Sequence, residues 1–246
     1  MEKLEKIESG IKGMDVLLNG GFPEGRTFLV SGSCGTGKTL FASQFILEGL
    51  DNKEPCVYVT FEQGKKKLFE DLVQVGINLE TYVDAGLLKV IGGAIGRIRY
   101  FKDNTKANFL DITKEIEDVV KQIGAKRVVI DSINLYLMLF ESDSERRNAM
   151  VALTSRLEEI DCSTLLTCEV REGTKDISWH GFEEFVVDGV VVLYRIPFEN
   201  TFERAVSVVK MRGTEHSQNV RALKIKADGI TVYPNQEPFH GLQSEK

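Results

Sequence analysis

This sequence of 246 residues is poor in cysteine, proline and histidine, and it has no long hydrophobic run. Its four cysteines include no C-x-x-C pair and do not make a disulfide framework. The three histidines, His180, His216 and His240, show no metal-ligand spacing, and no H-E-x-x-H motif or nucleophile elbow is present. No apolar run approaches the roughly 18 residues of a membrane span, and the first residues form no apolar leader. These absences predict a cytoplasmic protein that does not cross a membrane.

The composition is that of an ordinary globular protein. Apolar residues make up 42% of the chain and charged residues 28%, which excludes a disordered or collagen-like chain. The formal net charge of −6 argues against a protein that coats duplex DNA through its bulk charge. The length allows one sizeable core, and we find neither a repeat nor a linker. We therefore predict a single domain over residues 1–246, with a flexible tail at 234–246.

The order of hydrophobic patterns along the chain predicts an α/β protein. Strand-like apolar runs alternate with helical patterns over the first two thirds of the sequence, which is typical of a mostly parallel sheet flanked by helices. From Phe185 onwards strands follow one another without helices. Two of them surround the turn-like segment 198–201 and predict an antiparallel β-hairpin that extends the sheet. The predicted strands lie at 27–31, 56–61, 87–91, 128–130, 164–167, 190–194, 205–209, 220–225 and 230–233.

Residues 32–39, with the sequence GSCGTGKT, fit the phosphate-loop pattern G-x-x-x-x-G-K-[ST]. Glycines let the N–H groups of such a loop surround phosphate oxygens, while Lys38 reaches the β- and γ-phosphates and the Thr39 hydroxyl ligates Mg²⁺. A strand precedes the motif, and the helix that follows contributes the positive end of its dipole. The alternative is an unrelated glycine-rich turn. The residues predicted to bind ATP or ADP here are Gly32, Ser33, Cys34, Gly35, Thr36, Gly37, Lys38, Thr39 and Leu40.

Two carboxylates follow predicted strands and are candidates for the metal and for catalysis. Asp131 ends the apolar run 127–131 and is predicted to hold Mg²⁺ from a neighbouring strand, although an N-cap role is the alternative. Glu62 follows the strand 56–61, and it would face the γ-phosphate if that strand lies beside the phosphate-loop strand. There it would orient or deprotonate the attacking water, unless it is an ordinary exposed glutamate. Gln63 can hydrogen-bond to water but cannot accept its proton.

Together these motifs resemble the KaiC-like ATPases of the RecA superfamily. The resemblance begins with the lead-in IKGMDVLLNGGFPEGR and spans nearly the whole chain, in the right order. It implies a RecA-like P-loop NTPase core formed by one KaiC domain, and a Mg²⁺-dependent ATPase with a regulatory or signalling role. The segments that carry it are 11–26, 35–39, 59–62, 129–132, 181–186 and 210–217.

The resemblance also implies a homo-oligomer, usually a hexameric ring, with ATP between subunits. In such rings the segment 210–217, KMRGTEHS, projects onto the nucleotide of the neighbouring subunit. Lys210 and Arg212 would then stabilise charge on the γ-phosphate in trans. Taken without the resemblance, the segment could equally be a basic turn after a strand. The other residues that would contact the same nucleotide are Met211, Thr214 and His216.

Further positions are assigned by the resemblance alone. Gln74 aligns loosely with a position at the edge of the nucleotide. Either Thr167 or Glu169 would occupy the strand end where RecA-like proteins place a γ-phosphate sensor.

The sequence departs from the family pattern at several positions. Gln63 stands where many members carry a second acidic residue, so hydrolysis rests on Glu62 alone or is slow. The positions of an autophosphorylated Ser-Thr pair correspond to Glu184 and Phe185, which have no hydroxyl, and we expect no autokinase activity. Lys226 and Ala227 replace a T-D pair, so the adenine contacts expected from that strand are absent from the pattern.

Two other functions are compatible with the sequence. A nucleotide-sensing module with little turnover is favoured by Gln63. A RecA-like protein that binds single-stranded DNA is favoured by the basic and aromatic residues at 97–106 and opposed by the net charge.

Overall fold

The computed structural model of the protein describes residues 4–92 and 109–238. Its strands are β1 (Lys6–Ile7), β2 (Phe22–Pro23), β3 (Thr27–Gly32), β4 (Cys56–Thr60), β5 (Leu88–Ile91), β6 (Arg127–Asp131), β7 (Ser163–Glu169), β8 (Gly189–Phe198), β9 (Thr201–Met211), β10 (Arg221–Lys226) and β11 (Gly229–Tyr233). Its helices are α1 (Met14–Leu17), α2 (Lys38–Asp51), α3 (Lys65–Val73), α4 (Glu80–Asp84), α5 (Phe109–Ile123), α6 (Ile133–Leu137), α7 (Asp143–Glu159) and α8 (Glu183–Val186).

A nine-stranded sheet forms the centre of the fold, in the order β11-β10-β9-β8-β3-β7-β6-β4-β5. The six strands from β8 to β5 in this order are parallel, whereas β9, β10 and β11 run antiparallel to their neighbours. The short strands β1 and β2 pair separately. The predicted α/β architecture is confirmed, including its antiparallel extension. The hairpin β8–β9 turns between Phe198 and Thr201, as the sequence predicted.

The sheet buries both faces, because alternate residues of each strand point to opposite sides. In β4, Cys56 and Tyr58 pack on the face that carries α2, with Phe41 among their cluster. Val57 and Val59 of the same strand pack on the other face, against the cluster of α5, α6 and α7. The near-continuous apolar runs in the sequence therefore reflect strands that are covered on both sides.

Two segments singled out by the sequence lie partly or wholly outside the described residues. Residues 97–106 lie outside them entirely. In the predicted tail, the Gln236 carbonyl accepts a hydrogen bond from the Ala222 N–H at 3.0 Å, and residues 239–246 lie outside the described part. Among the described helices, none is both long and apolar enough to cross a bilayer.

A buried arginine links the central sheet to the segments that pack against it. Arg127, at the start of β6, is 1% exposed, and its Nε donates to Glu54 Oε2 at 2.6 Å. Its Nη1 donates to the carbonyls of Glu8 at 2.8 Å and Phe45 at 3.1 Å. A Cβ on Gly49 would lie 2.7 Å from Arg127 Cδ, so this helix position requires glycine. The arginine thus joins the N-terminal segment, α2 and β6.

We expect Glu54→Gln to lower the free energy of unfolding by about 1–2 kcal/mol, because it leaves a buried guanidinium without its counter-charge. The expected loss is small for a buried charge because Glu54 is 29% exposed and water screens the pair. Urea unfolding followed by circular dichroism measures the change. Glu158→Gln, an exposed carboxylate on α7, is the matched control, and an equal loss in both variants would contradict this role for the pair.

Candidate nucleotide-binding site

The predicted phosphate loop connects β3 to α2 at the carboxyl edge of the parallel strands. Gly35 and Gly37 have φ values of 74° and 104°, a conformation that side chains rarely adopt. A Cβ on Gly32 would lie 2.6 Å from both the Leu193 carbonyl oxygen and Thr36 Oγ1. Gly37 is the N-cap of the 14-residue helix α2, and no side chain caps the first-turn N–H groups. Those groups are the donors that an anion such as a phosphate would take.

Lys38 is folded back onto its own loop. Its side chain is 8% exposed, and Nζ donates to the carbonyls of Gly32 at 2.9 Å and Ser33 at 3.1 Å. Glu169 Oε1 lies 3.9 Å from the same nitrogen. The predicted phosphate-binding ammonium is therefore held at the loop by acceptors that a phosphate could replace.

Asp131 lies at the end of β6, beneath the loop. Its Oδ2 accepts from the Tyr58 hydroxyl at 3.1 Å and its Oδ1 from Thr167 Oγ1 at 2.5 Å, which fixes the carboxylate plane. The expectation that its strand neighbours the phosphate-loop strand is wrong, because β7 lies between β3 and β6. Next along the chain, Ser132 is 1% exposed, and its side chain lies close enough to Glu62 to act on the pKa of that carboxyl, in the lowering direction.

Glu62 reaches the same edge from β4. The condition under which we expected it there is wrong, because β7 and β6 both lie between β3 and β4. All of these strands are parallel and end at one edge, so Glu62 still lines a cavity together with Lys38 and Thr39. Burial, and then the nearby Asp131 carboxylate, raise the pKa of Glu62.

This cavity has a volume of about 560 Å³ and joins the loop to helix α3. Several of its lining residues were predicted from the sequence. The α3 residues that face the cavity were not predicted to line it, and neither was Gln63. Lys67 and Asp71, four apart on one helical face, were the available signal. The lining residues are Cys34, Gly35, Gly37, Lys38, Thr39, Leu40, Glu62, Gln63, Lys67, Leu68, Asp71, Leu72, Val75 and Glu169.

The structure does not bring Gln74 to the phosphate loop. Gln74 is the exposed C-cap of α3, and it lines a separate cavity of about 430 Å³ with Phe69 and Asn78. Val75, the next residue, faces the loop instead. Successive residues of a helix point about 100° apart, so the side chains of Gln74 and Val75 face different directions.

The segment 210–216 lies at the opposite edge of the sheet from the loop of its own chain. Met211 pairs with Gly189, which pairs with Phe28, and the loop begins four residues further along β3 at Gly32, about 13 Å away. This reversal follows from the antiparallel direction of β9. Within one subunit Lys210, Arg212, Thr214 and His216 therefore do not join the phosphate loop.

The side chains of Lys210 and Arg212 both contact the segment 184–188, although Arg212 follows the last residue of β9. Lys210 Nζ donates to the carbonyls of Glu184 at 2.9 Å and Val187 at 2.6 Å, and burial, with the adjacent Arg212, lowers its pKa. Arg212 Nη1 lies 3.5 Å from Asp188 Oδ1, and its side chain is 51% exposed. The guanidinium is thus oriented by a carboxylate and remains open to a partner.

The residues present fit a nucleotide with Mg²⁺. Uncapped N–H groups, the Lys38 ammonium, the Thr39 hydroxyl and the Asp131 carboxylate are the donors and ligands that such a group takes. The buried hydroxyl of Ser132 is a further polar group next to Asp131. Among the described residues, no group of three or more His, Cys, Asp or Glu side chains is placed to hold a metal ion.

Comparison with known proteins gives consistent relatives. The family model described as "ATPase: KaiC" matches residues 7–237. The UPF0273 protein MK0039 of Methanopyrus kandleri is 35% identical over 242 residues, covering 95% of this chain and 94% of that protein. The circadian clock oscillator protein KaiC of Parathermosynechococcus lividus is 34% identical over 235 residues, covering 94% of this chain and 43% of the relative. The chain therefore spans less than half the length of this clock protein.

A solved structure shares the fold over nearly the whole chain. The crystal structure of the KaiC-like protein PH0186 from Pyrococcus horikoshii OT3 superposes with a TM-score of 0.83 at 36% identity. The match covers 94% of this chain and 100% of that one.

Proposed function

Because this chain belongs to the KaiC family of ATPases, we propose that it binds ATP with Mg²⁺ and hydrolyses it at the interfaces of a ring-shaped homo-oligomer. Its role on this proposal is regulatory, with the nucleotide state setting the state of the ring. No autokinase activity is expected, because Glu184 and Phe185 offer no hydroxyl.

The observation that carries the proposal is the meeting of three chain segments at one edge of the sheet. The phosphate loop after β3, Asp131 at the end of β6 and Glu62 after β4 come together although they are far apart in sequence. An anion site, a carboxylate held by two hydroxyls and a second carboxylate of raised pKa are the parts that phosphoryl transfer to water requires.

Each part has a distinct task in the proposed reaction. The N–H groups of the loop and Lys38 bind the phosphates and hold the γ-phosphate in line with the attacking water. Thr39 and Asp131 would hold Mg²⁺, and Tyr58 and Thr167 keep the Asp131 carboxylate in its orientation. Mg²⁺ held there would neutralise the negative charge that develops on the phosphates.

Glu62 is proposed to accept the proton of the attacking water. A carboxylate whose pKa is raised by burial is a stronger base than one in water. Gln63 lines the same cavity and can orient water without accepting its proton.

Charge on the transferring phosphoryl group would be stabilised by the neighbouring subunit. Lys210 and Arg212 lie at the far edge of the sheet from their own loop, which supports action on another copy rather than in cis. Arg212 is half exposed and aligned by Asp188, so little side-chain ordering remains to be done on assembly.

Mixed assemblies of two inactive variants test this proposal. Lys38→Ala removes the phosphate-binding lysine, and Arg212→Ala removes the trans cation. We expect each variant alone to release little phosphate, and a mixture to regain measurable ATPase activity where an Arg212→Ala subunit with an intact loop lies beside a Lys38→Ala subunit with an intact Arg212. Phosphate release measured against the mixing ratio reports the effect, and native mass spectrometry reports the ring.

The outcomes separate the competing functions. No recovered activity in confirmed mixed rings would contradict the trans role of Arg212. A monomer in every nucleotide state would remove the interface mechanism. Tight ATP binding with almost no phosphate release in the unmodified protein would favour the nucleotide sensor. Arg195→Ala, a cation on β8 that stacks 3.7 Å from the Phe202 ring centroid, is the control that should keep full activity.

A further inference from the structure

We propose that Glu169 makes this site discriminate between nucleoside triphosphates and diphosphates, by competing with the terminal phosphate for Lys38. The inference rests on the proposed nucleotide site and concerns its specificity. The sequence left open whether Thr167 or Glu169 occupies the strand end of a γ-phosphate sensor. The inference gives a defined task there to Glu169.

The position of Glu169 follows from the sheet register. Residue for residue, β7 runs beside β3, so that Glu169 pairs with Gly32, the first residue of the phosphate loop. The Val170 N–H donates to the Gly32 carbonyl at 3.3 Å, which holds the two segments together just beyond the last paired residues of β3 and β7. The carboxylate is therefore brought to the loop by the core of the sheet.

The side chain of Asn134 clamps the Glu169 backbone from both sides. The Glu169 N–H donates to Asn134 Oδ1 at 2.7 Å, and Asn134 Nδ2 donates to the Glu169 carbonyl at 3.3 Å. Asn134 is only 8% exposed and belongs to α6, directly after Asp131 and Ser132. Glu169 is thus held relative to the predicted Mg²⁺ carboxylate as well as to the loop.

Thr167, by contrast, does not line the loop cavity. It is fully buried, and its hydroxyl donates to Asp131 at 2.5 Å. Thr167 therefore orients Asp131, and Glu169 is the residue of the pair that lines the cavity.

Lys38 meets three acceptors in this arrangement. Its ammonium has three protons, and the acceptors within reach are the carbonyls of Gly32 and Ser33 and the Glu169 carboxylate at 3.9 Å. A phosphate that binds Lys38 must take the place of one of them. It then lies close to a carboxylate of the same charge sign.

This repulsion falls mainly on the terminal phosphate. The Glu169 carboxylate is close enough to Glu62 to help raise its pKa, and Glu62 is the residue proposed to accept the proton of the water that attacks the γ-phosphate. A diphosphate places its charge deeper in the loop, among the N–H groups of α2. Glu169 therefore weakens the binding of ATP more than that of ADP, since Coulomb repulsion falls with distance.

Binding of both nucleotides to the unmodified protein and to Glu169→Gln tests the inference. Isothermal titration calorimetry with ATP and ADP in EDTA avoids turnover, and a non-hydrolysable ATP analogue with Mg²⁺ repeats the comparison with metal. We expect Glu169→Gln to tighten ATP roughly 5-fold and ADP less than about 2-fold, because one nearby negative charge is removed. The difference should shrink at high salt.

Glu172→Gln is the matched control, because Glu172 lies three residues further on and pairs with Arg195 at 3.7 Å instead of Lys38. Asn134→Ala should shift the ATP-to-ADP affinity ratio in the same direction as Glu169→Gln, by releasing the backbone that carries the carboxylate, with folding checked by thermal melting.

Equal changes for ATP and ADP, or weaker ATP binding in Glu169→Gln, would overturn the inference and leave the proposed function intact. Absence of binding of either nucleotide to the unmodified protein would overturn both.

Discussion

Replacement of Lys38 by alanine is expected to abolish ATP binding, with a loss of affinity of at least about 100-fold. The variant loses the one ammonium held within the loop, and charge-assisted hydrogen bonds to phosphate are among the strongest polar contacts in proteins. Lys38 contacts the carbonyls of Gly32 and Ser33 and lies 3.9 Å from the Glu169 carboxylate, and all three groups belong to the proposed site. Calorimetric titration with ATP, with and without Mg²⁺, measures the loss.

Lys67→Ala is the matched control for this prediction. Lys67 lines the same cavity, but it projects from α3 and belongs to no part of the loop. We expect a change of a few-fold at most, from the loss of long-range attraction. Equal losses in the two variants would mean that general positive charge, not the loop geometry, binds the nucleotide. ATP affinity unchanged in Lys38→Ala would contradict the proposed site itself.

The phosphate loop could be predicted from the sequence because its determinants are local. Eight consecutive residues carry the pattern that predicts the turn, its glycines and the start of α2. The strand alternation was equally readable, because strands buried on both faces give continuous apolar runs. The KaiC-like resemblance added the order of the remaining motifs.

Strand order could not be predicted in the same way. The sequence does not say that β7 and β6 lie between the phosphate-loop strand and β4, because crossover connections of similar length can lead to either side of a sheet. The condition that the strand before Glu62 lies beside the phosphate-loop strand is therefore not met, and Glu62 lines the loop cavity all the same. Parallel strands all end at one edge, so a residue just after any of them can reach the same cavity.

Antiparallel strands reverse this rule, and the segment 210–216 illustrates it. Residues after β9 end at the opposite edge from the loop, although they resemble nucleotide-binding residues. The directions of the Gln74 and Val75 side chains could not be predicted from the sequence either. A shift of one residue along α3 changes which side chain faces the cavity, and helix boundaries are the least certain part of a prediction from sequence.

The rate of ATP hydrolysis depends on the electrostatics of the site more than on its shape. Glu62→Gln keeps the size and polarity of the side chain but cannot accept a proton, so we expect ATP binding to change little. We expect phosphate release to fall roughly 10²–10⁴-fold, the usual contribution of a positioned general base. A steady-state phosphate-release assay, with calorimetric ATP binding on the same preparation, separates the two effects.

The pH dependence gives an independent test of the same role. Only the ionised carboxylate accepts a proton, so the rate of the unmodified protein should rise as the pH increases through the pKa of Glu62. Burial and the Asp131 carboxylate raise that pKa, so the rise should lie above the range of an ordinary glutamate. The Gln variant should lack this limb, whereas Gln63→Ala, a neighbouring change in the same cavity, should retain it. Undiminished turnover in Glu62→Gln would remove Glu62 as the base, and the water would then be activated by the phosphate oxygens or by a group from the neighbouring subunit.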